Sequence, residues 1–184
     1  MLVTDKVIIL GLGNPLLSDE GLGIHVIQYL QTVGLPEKVQ LVDGGTAGLL
    51  LLNCVEAAEK LLVVDAIDAQ QPGGTVIQVH DIPQYSRHKL SPHQAGFQEV
   101  LTIAAMQGRL PGEIHLLGIQ PHALTWGCAL SAPVYAALEE LLTLIKSQLS
   151  AWGIPVQFEP TPNANAWGEA GQSDTGLVLQ QVLL

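Results

Sequence analysis

The order of hydrophobic and polar residues along the chain predicts strands alternating with helices. Residues 6–11 and residues 61–65 are short, continuous apolar runs, which is the pattern of strands buried on both faces of a sheet. Residues 39–43 supply a strand between them. Apolar residues at helical spacing follow the first strand from Leu22 to Leu30, and a second helix is expected from Thr46 onward. This order predicts a parallel sheet with right-handed crossovers and helices on both sides.

The second half of the chain predicts two more strands and two longer helices. Residues 75–80 follow a Gly-rich connection without a crossover helix, so this strand is expected to pair antiparallel at an edge. Residues 91–94 form a capping box that opens a helix ending at Gly108. Residues 113–119 are the last predicted strand, and Ser131 starts the last long helix. The expected fold is a three-layer α/β/α domain with a twisted, mostly parallel sheet of roughly five strands.

The expected domain covers residues 1–158, and residues 159–184 are expected to form a flexible extension. A chain of 184 residues is long enough to bury a sizeable core. The extension is rich in Pro, Asn, Ala, Gly and Ser and has little periodicity. Every apolar run falls short of the ~20 residues that a membrane-spanning helix needs. The N-terminal run lacks a small-residue cleavage site and is interpreted as a core strand, which favours a cytoplasmic location.

The net charge limits the classes of partner, and the cysteine content indicates the state of the two thiols. The formal net charge of −10 disfavours nucleic acid or anionic lipid as a partner and suits a cation or a basic peptide. Cys54 and Cys128 have no motif spacing, and a single disulfide is unusual in a cytosolic protein. Both are therefore predicted to be buried thiols.

A glycine-rich turn after the first strand occupies the position of a dinucleotide-binding fingerprint. The turn covers residues 11–16, but Leu16 stands where that fingerprint has its third glycine. The following helix is therefore expected to pack less closely on the sheet. Asn14 and Pro15 favour a turn over a phosphate cradle. Nucleotide binding remains a disfavoured alternative.

Several ligand-type side chains are expected at the carboxyl edge of the sheet, where open α/β sheets bind their ligands. Glu20 follows the first strand, Asp43 ends the second, Asp65 ends the third, and His93 lies in the first turn of the capped helix. A helix N-terminus disfavours the protonated imidazole and favours a neutral, metal-ready one. Two carboxylates and one imidazole are a plausible set of ligands for a divalent metal.

Structural interpretations of the same residues remain open. Acids at a helix start are stabilised by the helix dipole, and an acid at a strand end often caps the next turn. The remaining histidines are interpreted as structural; they are His25, His80, His88, His115 and His122. The chain has no zinc-protease signature and no Ser-His-Asp or Cys-His arrangement with supporting motifs. The residues alone indicate an acidic, metal-capable cleft.

Four motifs resemble those of the nickel–iron hydrogenase maturation endopeptidases, in the order in which that family has them. They are residues 11–23, residues 43–48, residues 64–66 and residues 91–94. The resemblance extends over residues 6–150. Residues 118–121 resemble the proteases that serve bidirectional, NAD(P)-linked hydrogenases.

The resemblance implies an aspartyl-type endopeptidase that removes a C-terminal extension from the precursor of a hydrogenase large subunit. Glu20, Asp65 and His93 match the family's metal-binding positions. The metal is nickel already present in the precursor, and no permanently bound cofactor is expected. Asp43 is expected to orient the substrate backbone or to act as a base. The competing hypothesis is an accessory protein that binds nickel without peptidase activity, and a monomer is expected in either case.

Overall fold

A computed structural model describes residues 6–79 and 92–158, and for residues 92–95 it describes the backbone alone. The strands are β1 (Val7–Leu12), β2 (Val39–Gly45), β3 (Lys60–Ala66), β4 (Val76–Val79) and β5 (Glu113–Ile119). The α-helices are α1 (Leu22–Val33), α2 (Leu52–Glu56), α3 (Pro92–Met106) and α4 (Ala132–Ala151). Two short 3-10 turns, Ser18–Gly21 and Gly48–Leu51, precede α1 and α2.

The strands form one sheet in the order β2-β1-β3-β5-β4. β1, β2, β3 and β5 are mutually parallel, and β4 pairs antiparallel with β5, with Val76 opposite Ile119. The predicted five-stranded sheet with one antiparallel edge strand is confirmed. Within the sheet, β2 lies beside one edge of β1 and β3 lies beside the other edge. The order of strands therefore reverses between β1 and β3.

Helices cover both faces of the sheet and enclose two separate cores. Ile9 and Leu62 belong to the core that packs against α1 and α4. Ile8 and Leu61 belong to the core on the opposite face, which α2 and α3 cover. Because successive side chains of a strand point to opposite faces, β1 and β3 contribute to both layers. The prediction that these two strands are buried on both faces is confirmed.

Close packing of α1 on the sheet contradicts the expectation of a looser helix. A side chain on Gly23 would collide with the carbonyl oxygens of Leu12 and Val64, and one on Gly11 would collide with the carbonyl oxygen of Gly23. The helix begins at Leu22, well past Leu16, so Gly23 makes the close approach. The expectation was wrong because it assumed that the helix starts directly after the glycine-rich turn.

Replacing Gly23 by alanine is expected to destabilise the fold by about 3 kcal/mol, because backbone atoms on two strands must move to admit one methyl group. This cost exceeds the ~1 kcal/mol that alanine gains over glycine in a helix. Urea denaturation measures the difference. Gly112→Ala is the matched control, since its methyl group would lie 3.6 Å from the carbonyl oxygen of Glu59, an ordinary contact. Equal stability of the two variants would contradict the packing argument.

The structure contradicts the expected burial of the two thiols and agrees with the expected start of the last helix. The prediction of two buried thiols is wrong: Cys128 is exposed on a loop and Cys54 is half-buried, although both are free as expected. The helix predicted from Ser131 begins at Ala132 with Ser131 as its N-cap. None of the helices in the described ranges is long and apolar enough to cross a membrane. The capping serine at position 91 and the extension over residues 159–184 lie outside the described residues.

Candidate functional site

Glu20 lies in the 3-10 turn that follows β1, and its side chain is buried. The chain folds back tightly between the strand and this turn. Gly13 has a φ of 123°, and a side chain there would fall on the carbonyl oxygen of Glu20. Only glycine fits a position with both this conformation and this contact. The glycine-rich turn therefore holds Glu20 against the carboxyl end of β1.

Asp65 is the penultimate residue of β3, in the middle of the sheet, and is 3% exposed. Its carboxylate oxygen Oδ1 accepts a hydrogen bond from the backbone N–H of Ala66 at 2.8 Å. Val64 pairs with Gly11 of β1, so Asp65 lies one residue beyond the end of that pairing. The carboxylate is therefore at the carboxyl edge of the sheet.

The two acids lie at the same edge of the sheet, at its topological switch point. The turn that contains Glu20 contacts β3, the strand that contains Asp65. The crevice between β1 and β3 is where an open α/β sheet of this order binds its ligand. Carboxylate oxygens at such a crevice are suitable ligands for a divalent cation.

The backbone of α3 begins close to the same edge. A side chain on Gly96, one turn after His93, would lie 3.6 Å from the Cα atom of Gly48 in the turn that follows β2. His93 therefore lies on a helical turn near the loops that contain the site. Its side chain is outside the described part of the molecule, and the described side chains alone contain no group of three metal ligands. The three-residue metal set stays a prediction.

Asp43 is exposed, whereas Glu20 and Asp65 are buried. It lies near the end of β2, paired with Gly11 of β1. The backbone turns directly after it, with Gly45 at a φ of 47°. Its position on the outer strand places it beside the crevice rather than within it.

Asp19, next to Glu20, is the residue whose role the sequence does not reveal. It is fully buried, and its carboxylate accepts four hydrogen bonds from the loop between β5 and α4. The donors are the backbone N–H of His122 at 2.9 Å, of Ala123 at 2.7 Å and of Ser131 at 2.7 Å, and the hydroxyl of Ser131 at 2.8 Å. This arrangement, which we call the Asp19 clamp, fixes the loop to the turn that contains Glu20.

Further hydrogen bonds attach residues 121–131, the β5–α4 loop, to the segment before α1 and to α1 itself. The backbone N–H of Ser18 donates to the carbonyl oxygen of Gly127 at 2.7 Å, and its hydroxyl donates to Ala129 at 2.8 Å. His25 Nε2 lies 3.0 Å from the carbonyl oxygen of Cys128. Burial lowers the pKa of His25 and favours its neutral form, and the bond to Cys128 partly opposes this shift. The interpretation of His25 as structural agrees with this contact.

Comparison with known proteins identifies the family. A sequence model described as hydrogenase maturation protease matches residues 24–148, more than half of the chain. The chain belongs to this family.

Named relatives and a solved structure agree with the assignment. The hydrogenase expression/formation protein HupD of Bradyrhizobium diazoefficiens is 36% identical over 88% of this chain and 87% of its own length. HoxM of Cupriavidus necator is 41% identical over 80% of this chain and 75% of its own length. The structure of the hydrogenase maturating endopeptidase HybD from E. coli superposes with a TM-score of 0.77 at 32% identity, covering 82% of this chain and 95% of that one.

Gln120 gives residues 118–121 of this maturation protease a structural role. The side-chain carbonyl oxygen of Gln120 accepts hydrogen bonds from the backbone N–H groups of Ala69 at 2.8 Å and Gln71 at 3.2 Å. Its amide nitrogen donates to Asp68 at 3.2 Å. Gln120 therefore organises the loop between β3 and β4. Assignment to the bidirectional subgroup stays a prediction, because the names of the relatives do not distinguish it.

Proposed function

We propose that this protease removes the C-terminal extension from the nickel-loaded precursor of a [NiFe]-hydrogenase large subunit. The observation that carries the proposal is the pair of buried carboxylates, Glu20 and Asp65, at the switch point of a hydrogenase maturation protease fold. Glu20, Asp65 and His93 would bind the nickel of the precursor. The metal is part of the substrate in this scheme, and the protease needs no cofactor of its own.

An incomplete ligand set explains how the protease would select its substrate. Three protein ligands leave positions that groups of the precursor or water complete, so the isolated protease binds nickel weakly. A precursor without nickel lacks the element that the two buried carboxylates recognise. Processing is then restricted to precursors that have already received their metal.

Asp43 would position the substrate chain. It is exposed on β2, beside the crevice, with a turn directly after it. A carboxylate in this position accepts hydrogen bonds from backbone N–H groups of an extended peptide. We therefore assign Asp43 to orientation of the scissile segment.

Incubation of the protease with a purified large-subunit precursor, with and without nickel, tests the proposal by the mass of the product. A C-terminal peptide is expected to be released only from the nickel-loaded precursor, and His93→Ala is expected to abolish its release. The control is His115→Gln, since His115 packs against Trp152 toward the other end of β5 and should leave processing intact.

The processing assay distinguishes failure of metal recognition from failure of the peptidase activity. Equal cleavage with and without nickel would contradict metal recognition but not the peptidase activity. Tight nickel binding with no cleavage of several precursors would favour the accessory protein without peptidase activity. Cytoplasmic location and a monomeric state stay predictions, which cell fractionation and light scattering test.

A further inference from the structure

Large exposed apolar side chains are concentrated at the carboxyl edge of the sheet. The described residues include seven such side chains: Leu16, Leu49, Leu50, Met106, Leu110, Leu124 and Trp126. Five of them follow β1, β2 or β5, on the loops that surround Glu20 and Asp65, and the other two lie in the segment from α3 to β5. Exposed apolar groups that cluster near a site indicate an interaction surface, whereas single scattered ones do not.

Three of these side chains lie on two adjacent backbone segments, and we call this set the Trp126 surface: Leu16, Leu124 and Trp126. A parallel backbone bridge pairs Leu17 with Gly127, and the N–H of Gly127 donates to the carbonyl oxygen of Leu16 at 3.0 Å. Leu16 is therefore adjacent to Trp126. The exposed fractions are 54% for Leu16, 58% for Leu124 and 83% for Trp126.

The loop beneath the Trp126 surface is fixed in place. The Asp19 clamp holds it at His122, Ala123 and Ser131, and the bonds from Ser18 hold it at Gly127. A surface that is ordered before binding loses less conformational entropy on association than a mobile loop does. Since Asp19 is adjacent to Glu20 in sequence, the clamp also fixes this loop beside the turn that contains Glu20.

The charge pattern separates this region from the rest of the molecule. Residues 114–138 contain no Asp, Glu, Lys or Arg, in a chain with a net charge of −10. Residues 124–129 are all exposed, so this uncharged stretch faces solvent. Depletion of charge together with an exposed tryptophan is typical of the centre of a protein–protein interface.

We propose that the Trp126 surface docks an apolar, weakly charged face of the folded large-subunit precursor while its C-terminal segment enters the crevice. This inference rests on the proposed function. In the proposed function the C-terminal segment of the precursor reaches the crevice between β1 and β3, so the body of the folded precursor lies against the loops around that crevice. Leu16 lies between β1 and the turn that contains Glu20, so the Trp126 surface borders the crevice. An exposed apolar surface without charged residues is matched by an apolar, weakly charged face.

Binding of the nickel-loaded precursor to immobilised protease tests the docking surface separately from catalysis. In an Asp65→Asn background, which prevents cleavage, Trp126→Ala is expected to raise the Kd at least about 30-fold, as loss of an exposed aromatic hot spot does. Met106→Ala in the same background is the matched control. Met106 is also 83% exposed but lies at the end of α3, and its Kd is expected to stay within about twofold.

Steady-state kinetics with Asp65 intact separate failure of this inference from failure of the proposed function. Trp126→Ala is expected to raise KM with a much smaller change in kcat, because the contact is the same in the ground state and the transition state. If the wild-type protease cleaves the precursor but Trp126→Ala matches Met106→Ala in both Kd and KM, the docking inference is overturned and the proposed function stands. If the wild-type protease neither binds nor cleaves several precursors, both are overturned.

A second copy of this chain is the other occupant of the Trp126 surface that the experiments must exclude. If light scattering shows that Trp126→Ala converts a wild-type dimer into a monomer while the Kd for the precursor is unchanged, the surface binds a second copy and the inference is wrong. Since Trp126 is exposed, its loss should leave the circular dichroism spectrum and the unfolding midpoint unchanged, so weakened binding is not a result of unfolding.

Discussion

Asp65→Asn is expected to lower the rate of precursor processing by at least about a thousandfold while the fold persists. The amide oxygen preserves the shape of the side chain and is able to accept the hydrogen bond from the N–H of Ala66. The substitution removes the negative charge at the switch point, and with it one of two buried carboxylates that would bind the nickel of the substrate. A neutral amide is a much weaker partner for a divalent cation than a carboxylate is.

Initial rates of peptide release from nickel-loaded precursor measure this effect, and the unfolding midpoint in urea verifies the fold. Asp68→Asn is the matched control, because Asp68 is a carboxylate three residues further along that accepts hydrogen bonds from Gln70 and Gln120. Its processing rate is expected to stay within about threefold of wild type. Near-normal processing by a folded Asp65→Asn variant would remove Asp65 from the proposed metal set.

Asp19→Ala is expected to destabilise the fold by about 3–5 kcal/mol. The substitution removes four hydrogen bonds to a buried charged acceptor and leaves the N–H groups of His122, Ala123 and Ser131 without it. These hydrogen bonds are partly buried, and a partly buried donor that loses its acceptor costs more than the bond contributes on balance when both partners are present. Because the same carboxylate anchors the β5–α4 loop, residues 121–131 should also become cleavable by a nonspecific protease under native conditions.

Ser18→Ala gives the appropriate comparison for the clamp. It removes one hydroxyl that donates to Ala129 in the same loop, and a loss of about 1 kcal/mol is expected. Urea denaturation and the time course of limited proteolysis measure both variants. If Asp19→Ala unfolds at the same urea concentration as Ser18→Ala and its loop stays resistant, the clamp does not hold the loop.

The parts of the fold that local patterns determine were predictable from the sequence. β3 is recognisable because a strand in the middle of a parallel sheet must be apolar on both faces, and Leu61–Val64 are. Asp65 stands out because it ends that run at the edge where such sheets bind ligands. Residues 75–80 were assignable to an antiparallel edge strand because their connection is too short for a crossover helix.

The parts that depend on distant contacts were not predictable in the same way. Asp19 looks like an acid at a helix start, and its partners lie 103–112 residues further along the chain. Gly23 looks like an ordinary glycine within a helix, and its importance is visible only when β1 and β3 lie beneath it. Cys128 was expected to be a buried thiol because it has no motif spacing and a single disulfide is unusual in a cytosolic protein, but its segment is an exposed loop.

The Asp19 clamp also delays completion of the carboxyl edge of the sheet during synthesis. Asp19 and Ser131 are separated by 112 residues, and β2, β3, β4 and β5 all lie between them. Chain segments leave the ribosome in order, and contacts between distant segments form only when the later one has appeared. Glu20 and Asp65 are therefore made early but receive their final surroundings late, after α4 has begun. A nascent chain that ends before residue 121 contains both acids without the loop that Asp19 anchors, and it should not compete for nickel-loaded precursor.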